Sequence, residues 1–363
     1  MCGSRARSRS RGARSTPNPT TDVSGGAAAS VVVFGDVIDD VIVTPVGDIR
    51  PDTDTMASIE RRAGGSAANA AAWFAHLGRP THFFGRVGAD DVERHSGLLA
   101  RSGVVPHLRG ELSTPTGTIV VVLQPDRTRS MLTERGANAL TGPGDVDRSL
   151  FAPGGHLHFT GYSVFAADAG SRAGAREGAG ADAGAGPGSR GDASAGSPGA
   201  AFAGLIAEAR AAGMSVSVNP GSAGFIADHG AESLLAATAG STILIPNLDE
   251  GRALTGHDEP AGILNALLEH AEVVALTLGR GGVLAASRQH GPVAVPAVLV
   301  DPVDTTGAGD AFSAGFVTSL LDSGHAIGPD LDTATLAAAC RSGVACAARA
   351  IRQVGARPPA PEH

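Results

Sequence analysis

The sequence contains no lysine: all 28 side chains that could be lysine or arginine are arginine. That absence excludes several catalytic strategies. A P-loop NTPase places a lysine on the β- and γ-phosphates, and a protein kinase uses a strand lysine. A Schiff-base enzyme needs a lysine amine. Cysteine is nearly as scarce, with three in 363 residues. Cys2, Cys340 and Cys346 lack the pair-plus-pair spacing of a zinc site, and no disulfide framework is expected; Cys340 and Cys346 read as core residues of a helix. This usage fits a reducing, cytoplasmic compartment. No run approaches the ~18 apolar residues of a membrane span. The net charge of −8 argues against a nucleic-acid partner, which needs a basic face. What is present is ample apolar material, 42% of the chain, enough to build one large α/β domain or two small ones.

Residues 1–30 carry Arg5, Arg7, Arg9, Arg11 and Arg14 among Ser, Gly and Ala, with no apolar core for a secretory signal. They read as a disordered tail, with an organellar transit peptide as the alternative. Val31-Val32-Val33-Phe34 followed by Gly35 reads as a buried strand. From there strand patterns (81–85, 157–160, 214–218, 242–245, 273–277) alternate with helix patterns (66–77, 201–212, 261–270, 309–321, 334–350). Such alternation predicts a mostly parallel central sheet with helices on both faces. Two β-rich, turn-punctuated stretches, 41–62 and 104–123, break the pattern and predict a small separate sheet, a lid over one end of the main one. Residues 166–200, nearly all Ala, Gly, Ser, Asp, Arg and Pro, cannot bury enough apolar surface to offset their ordering entropy and read as a disordered insertion. The domain is expected over 31–357, with 358–363 as a tail.

The densest chemical signal is residues 304–315, Asp-Thr-Thr-Gly-Ala-Gly-Asp-Ala-Phe-Ser-Ala-Gly. Thr305 and Thr306 can cap, Gly307, Ala308 and Gly309 are small, and an apolar helix pattern follows. A small-residue turn opening a helix offers free N–H groups and the positive dipole end to a phosphate. A carboxylate at Asp310 beside that anion site is ill placed for stability but well placed as a base toward an attacking hydroxyl. Gly64-Gly65 precedes a helix in which Asn69 is a lone polar residue needing a partner. Gly35-Asp36-Val37-Ile38-Asp39-Asp40 leaves the first strand, where open α/β sheets bind ligands. Asn247 and Glu250 fit a capping box. Thr277-Leu278-Gly279-Arg280-Gly281-Gly282 ends a strand in a glycine turn. His156 and His158 share a strand face, have no third ligand nearby, and read as strand residues.

Taken together, Asp304–Asp310 with the following Ala-Phe-Ser-Ala-Gly-Phe, and Gly64-Gly65…Asn69 before it, resemble the signatures of the ribokinase-like, or PfkB-type, carbohydrate kinases. The resemblance spans about 31–357 with the motifs in the expected order; the 166–200 insertion is unusual for it. It implies that Asp310 deprotonates an acceptor hydroxyl and that the amides of Gly307, Ala308 and Gly309 hold the transferred phosphoryl group. It implies acceptor binding by Gly64, Gly65, Asn69 and Asp40, with Asp36 a second candidate carboxylate. It implies ATP binding along Asn247, Thr277, Gly279, Arg280 and Gly282, and Mg²⁺ ordered by Glu250 through water. It implies a monovalent-cation (K⁺) site at Asp304, Thr306 and Gly355. The segment Phe84–Asp91 also resembles the family but reads as structural.

The expected reaction is ATP-dependent phosphorylation of a hydroxyl on a small sugar or sugar acid, of the ribokinase or 2-keto-3-deoxygluconate kinase type. A nucleoside kinase, of adenosine or pseudouridine type, is the alternative; the lid segments lack the stacking aromatic such a site uses. A phosphosugar needs a cationic clamp, for which Arg61, Arg62, Arg109 and Arg129 are candidates. A non-catalytic binding relative would have lost Asp310 or the glycine run, and neither is lost. A homodimer through the lid is the expected assembly.

Overall fold

The computed structural model describes residues 29–123, 129–165 and 198–359, with Met1 and Gly3. Most of the expected N-terminal tail, the insertion up to residue 197 and residues 360–363 lie outside the described residues. In chain order the strands are β1 (Val31–Phe34), β2 (Ile38–Pro45), β3 (Ala57–Gly64), β4 (Thr81–Gly88), β5 (Val104–Glu111), β6 (Thr118–Leu123), β7 (Arg129–Glu134), β8 (His156–Thr160), β9 (Ser215–Asn219), β10 (Ile243–Leu244), β11 (Val273–Thr277), β12 (Val283–Ser287) and β13 (Val293–Val295).

β1 sits in the middle of the large sheet because every one of its side chains is apolar. It pairs in parallel with β4 on one side and β8 on the other, Val31 standing opposite Thr81 and His156. The sheet runs β13-β12-β11-β10-β9-β8-β1-β4-β5, and only β12 runs against the others, antiparallel to both β11 and β13. Alternate residues of a strand face opposite layers. Val31 and Val33 pack with Trp73, Phe74, Phe312 and Phe316. Val32 and Phe34 pack with Phe159, Phe202 and Leu205. Helices Ser66–His76, Ala308–Asp322 and Thr333–Ala350 therefore cover one face, and helices including Pro198–Ala211 and Leu248–Thr255 cover the other. Each fully buried Val or Phe contributes roughly 1.5–3 kcal/mol.

The second sheet is small and mixed, ordered β3-β2-β6-β7. It corrects the expected lid boundaries. Residues 104–111 do not join it: β5 pairs in parallel with β4 from Thr81–Val104 to Gly88–Glu111, forming the edge of the large sheet. A half-buried edge strand and a lid strand carry the same alternating pattern, and Pro106 is tolerated because edges need not donate every N–H. The remaining strand is β7, antiparallel to β6. β2 and β3 also reach further than 41–62, pairing from Ile38–Gly64 to Pro45–Ala57.

The two strand histidines are core groups. His156 contacts the hydroxyls of Ser215 and Ser217 at 2.7 Å each, and His158 contacts Ser217 at 2.8 Å. Burial holds both rings neutral, lowering His158 to about 4. Cys340 and Cys346 are buried on Thr333–Ala350. Arg86, in the segment read as structural, is held by Asp145 and Glu111.

Candidate functional site

The parallel strands β1, β8, β9, β10 and β11 end along one edge of the large sheet, and the motif residues gather there. Asp36 follows β1 and is buried. The helix Ser66–His76 begins after Gly65, which has no side chain with which to cap it. Asp36 supplies the cap: its carboxylate accepts the N–H of Ser66 at 2.7 Å, the N–H of Ala67 at 3.4 Å, and the Thr160 hydroxyl at 3.1 Å. Asp36, expected to meet the acceptor, is thus engaged by the helix N-terminus. Gly65 has φ +95°, and a Cβ there would lie 2.4 Å from the Asp36 carbonyl oxygen.

Asp40 points from β2 over Gly64, where an added Cβ would meet its Oδ2 at 2.2 Å. Its carboxylate accepts no hydrogen bond among the described residues. Burial and then the neighbouring Asp36 raise its pKa to about 6, against the opposing pull of Arg357. The adjacent Asp39 faces the other way and is buried; both its oxygens pair with Arg94, at 2.8 and 2.6 Å. Consecutive strand residues therefore divide the labour, Asp39 binding structure and Asp40 remaining open.

Asp310 lies in the first turn of Ala308–Asp322 and is buried. The Ser66 hydroxyl donates to its Oδ1 at 2.5 Å and the Asn69 amide to its Oδ2 at 3.2 Å. Burial raises its pKa to about 7; these two hydrogen bonds oppose the rise, and Asp36 and Asp40 add to it. The Oδ1 of Asn69 accepts from Arg357, whose Nε donates at 3.4 Å while its Nη2 donates to the Gly64 carbonyl at 3.2 Å. An arginine only donates, so this contact orients the Asn69 amide nitrogen toward Asp310.

Neither Thr305 nor Thr306 caps the Asp310 helix. Its N-cap is Gly307, at φ +78° and without a side-chain cap, and an added Cβ there would lie 2.5 Å from Ala356 Cβ. Thr306 instead donates its N–H and hydroxyl to Asp304 Oδ1, at 2.9 and 2.7 Å, while Gly355 N–H donates to Oδ2 at 3.0 Å. Asp304, Thr306 and Gly355 are thus brought together, with the Asp304 carboxylate as the tie.

Ala308 and Gly309, in the first turn of Ala308–Asp322, line a cavity of about 350 Å³. Thr277, Gly279, Arg280 and Gly282 line it as well, together with the apolar Phe312 and Val344. An apolar cleft meeting a helix N-terminus suits a nucleobase with phosphates attached. Asn247 and Glu250 stand apart from that lining as a reciprocal capping box: Asn247 Oδ1 accepts Glu250 N–H at 2.9 Å, and the Glu250 oxygens accept from Asn247 N–H at 2.9 Å and Nδ2 at 2.5 Å. Burial raises Glu250 to about 7, the Asn247 hydrogen bond opposing. With both oxygens engaged, Glu250 fits a metal's water shell better than its inner sphere. Among the described residues no cluster of three His, Cys, Asp or Glu forms a metal site.

Four residues of the site were not singled out by sequence as site residues. Ser66 and Thr160 touch the carboxylates, and Arg357 the Asn69 side chain and the Gly64 carbonyl, through contacts between distant segments. Tyr162, the only tyrosine, lies just beyond β8, close enough to Asp36, Glu250 and Asp310 for their charges to raise its pKa further after burial has raised it. Its ring is covered by Arg135, with Cζ 5.3 Å from the centroid. The arginines named as clamp candidates are engaged elsewhere or undescribed: Arg62 pairs with Glu60 at 2.6 Å and Arg109 with Asp145 at 3.0 Å, Arg61 forms no ion pair among the described residues, and the Arg129 side chain lies outside them.

A mostly parallel α/β sheet, a cavity lined by the first turn of a helix, and a buried carboxylate on that same turn are the features a small-molecule kinase would use. Comparison with known proteins narrows it. The chain belongs to the pfkB family of carbohydrate kinases, whose model matches residues 28–176 and 188–363, and is a phosphotransferase of that family acting on a sugar or nucleoside. It is 30% identical over 291 residues to an ATP-dependent ribose-1-phosphate kinase of Halopiger xanaduensis, covering 76% of this chain and 80% of the relative. Its fold resembles adenosine kinase from Sinorhizobium meliloti, with a TM-score of 0.71 at 23% identity over 92% of this chain and 96% of that one. A fructokinase from Vibrio cholerae, solved with fructose, ADP and calcium, gives a TM-score of 0.67 at 25% identity, covering 91% and 95%. No helix among the described residues is long and apolar enough to cross a membrane.

Proposed function

We propose that this protein transfers the γ-phosphoryl group of ATP to a hydroxyl of a small sugar or sugar acid, with Asp310 as the base. The carrying observation is the position of Asp310. It is one residue from Gly309, which lines the 350 Å³ cavity, and its carboxylate accepts from Ser66 and Asn69. The open carboxylate of Asp40, with Gly64 and Gly65 beneath it, orients the acceptor. Asn69 orients the base. The Gly307–Gly309 amides receive charge on the transferring group, a task of positioning and electrostatics rather than covalent chemistry. Mg²⁺, when bound with ATP, neutralises the phosphate charge, and Glu250 orders its water shell. The apolar cavity, with Thr277, Gly279, Arg280 and Gly282 along one side, takes the nucleotide, and Asn247 stands at the helix beside it. The small sheet acts as the lid that excludes water.

The Arg135-covered Tyr162 ring favours a sugar over a nucleoside, because a base cannot stack on the face the guanidinium occupies. An ADP-release screen over sugars, sugar acids and nucleosides tests the reading. The expected outcome is stimulation by one sugar-like acceptor and its loss in Asp310→Asn; a folded Asp310→Asn protein with full activity overturns it. Potassium dependence tests the loop tied by Asp304, Thr306 and Gly355: activity rises in K⁺ relative to Li⁺. Exposed Met56, Ile59, Met131 and Leu132 on or beside the small sheet support a homodimer through that face, checked by sedimentation.

A further inference from the structure

Four strand ends of the large sheet carry groups with a place in the site. Asp36 follows β1 and Thr160 ends β8, on the side proposed for the acceptor. Asn247 follows β10 and Thr277 ends β11, on the side proposed for the nucleotide. β9 lies between these two pairs in the sheet. Its last residue is Asn219, opposite Thr160 in register. The end of β9 is therefore where a phosphoryl group would pass from one side to the other.

The two ends of the Asn219 amide do different things. Its Oδ1 accepts the N–H of Gly221 at 3.0 Å, an Asx turn that takes the chain out of the strand through Pro220. With the oxygen engaged there, the nitrogen faces the other way. Nδ2 lies 3.9 Å from the point a Cβ on Gly309 would occupy, and apart from Gly309's own neighbours in the chain it is the one group within 4 Å of that point among the described residues. Asn219 is half-buried, and Nδ2 donates to no group among the described residues. The turn needs only the oxygen, and an aspartate closes the same turn. Beside Gly309 the choice of atom matters. Glu250 and Asp310 already lie in each other's field, and an aspartate at 219 would add a third carboxylate in the path of an anion. An amide nitrogen instead offers two N–H donors.

Resting on the kinase reading above, we infer that Asn219 is a further catalytic residue, whose Nδ2 donates to the phosphoryl group in transit beside Gly309. In that step the acceptor oxygen bonds to the γ-phosphorus and the bond to the β,γ-bridging oxygen breaks. Its electron pair leaves on ADP, and the acceptor proton passes to Asp310. Asn219 exchanges no proton; it holds a non-bridging oxygen of the group, over which the charge is spread. A donor of this kind contributes about 10²–10³-fold to kcat. Asn219→Asp decides the matter, because it keeps the shape and the turn and replaces the donor by a charge. ADP release with the best acceptor of the screen measures turnover. Titration calorimetry with ADP alone and with ADP, Mg²⁺ and aluminium fluoride, a mimic of the phosphoryl group in flight, measures binding without an acceptor. Asn219→Asp is expected to lower kcat by about 10²-fold or more, to leave the KM for ATP nearly unchanged, and to abolish the tightening of ADP by aluminium fluoride. Asn219→Ser keeps a turn acceptor without adding charge, and is expected to lose about tenfold or more in kcat. A folded Asn219→Asp protein with unchanged kcat overturns the inference and leaves the kinase reading intact. A raised KM for ATP with unchanged kcat, the mark of a residue that only shapes the nucleotide pocket, overturns it as well. If no acceptor is turned over by the unaltered protein, yet aluminium fluoride tightens ADP and Asn219→Asp removes that tightening, the phosphoryl contact stands and the kinase reading falls. Should Asn219→Asp fail to fold, Asn219→Ser decides by the same two measurements.

Discussion

The two ends of the site are built on opposite principles. The end proposed for the nucleotide is made of backbone and small residues: Gly307, Ala308 and Gly309 at a helix N-terminus, with Ala308 and Gly309 lining a largely apolar cavity. The end proposed for the acceptor is made of charge: Asp36, Asp40 and Asp310 act on one another, with Arg357 and Arg135 near them. Backbone amides bind phosphate in any protonation state that keeps it anionic. The Asp40 and Asp310 carboxyls are raised toward neutrality, because burial disfavours each charge and neighbouring carboxylates disfavour it further. The first end supplies fixed polarity, and the second supplies a proton acceptor poised at about 7.

The largest effect expected from breaking this contrast is at Asp310. Asp310→Asn removes the base but keeps the shape, so kcat falls by about 10²–10⁴-fold while affinity for ATP, set at the other end, is nearly unchanged. The same variant gains thermal stability above pH 7, measurable as a higher Tm, because it no longer buries a charge. At the nucleotide end, Gly307→Ala costs about 1–3 kcal/mol, since Gly307 is at φ +78° and its added Cβ meets Ala356; denaturant titration reads that loss, and turnover falls as the amides move.

The pH dependence follows with a worked sign. Asp40, Glu250 and Asp310 are raised from 3.8, 4.5 and 3.8 to about 6, 7 and 7. Between pH 4 and 7 the native state therefore holds more protons than the unfolded state, and stability falls as pH rises through that window. Activity moves the other way, because a base must be deprotonated: kcat/KM rises with pH through about 7. A parallel rise of both with pH contradicts the picture. The smallest effect is at Ser66. Ser66→Ala removes a hydrogen bond that favours the charged Asp310, so the acid limb of the pH–rate profile moves up by roughly one unit with only a severalfold drop in kcat at pH 8.

The nucleotide end was the legible one. A turn of small residues opening a helix can be read from adjacent letters, and the same holds for the Asn247–Glu250 capping box. Strand and helix positions were legible for the same reason, since each periodicity is local. The edge strand β5 was not, because an edge strand and a lid strand alternate alike and only pairing with β4 separates them. At the acceptor end, Asp36, Asp39 and Asp40 occupy neighbouring positions, but their division into helix cap, ion-pair partner and open carboxylate depends on Ser66, Arg94 and Gly64.

The sequence alone determined the α/β alternation, the small-residue turn that opens the Asp310 helix and the Asn247–Glu250 capping box, because short-range geometry places these groups. The tertiary structure alone decided which carboxylates stay open, that Arg357 orients Asn69, and that Arg135 lies over Tyr162. Those outcomes depend on contacts between segments up to 293 residues apart, and burial and charge act through space rather than along the chain.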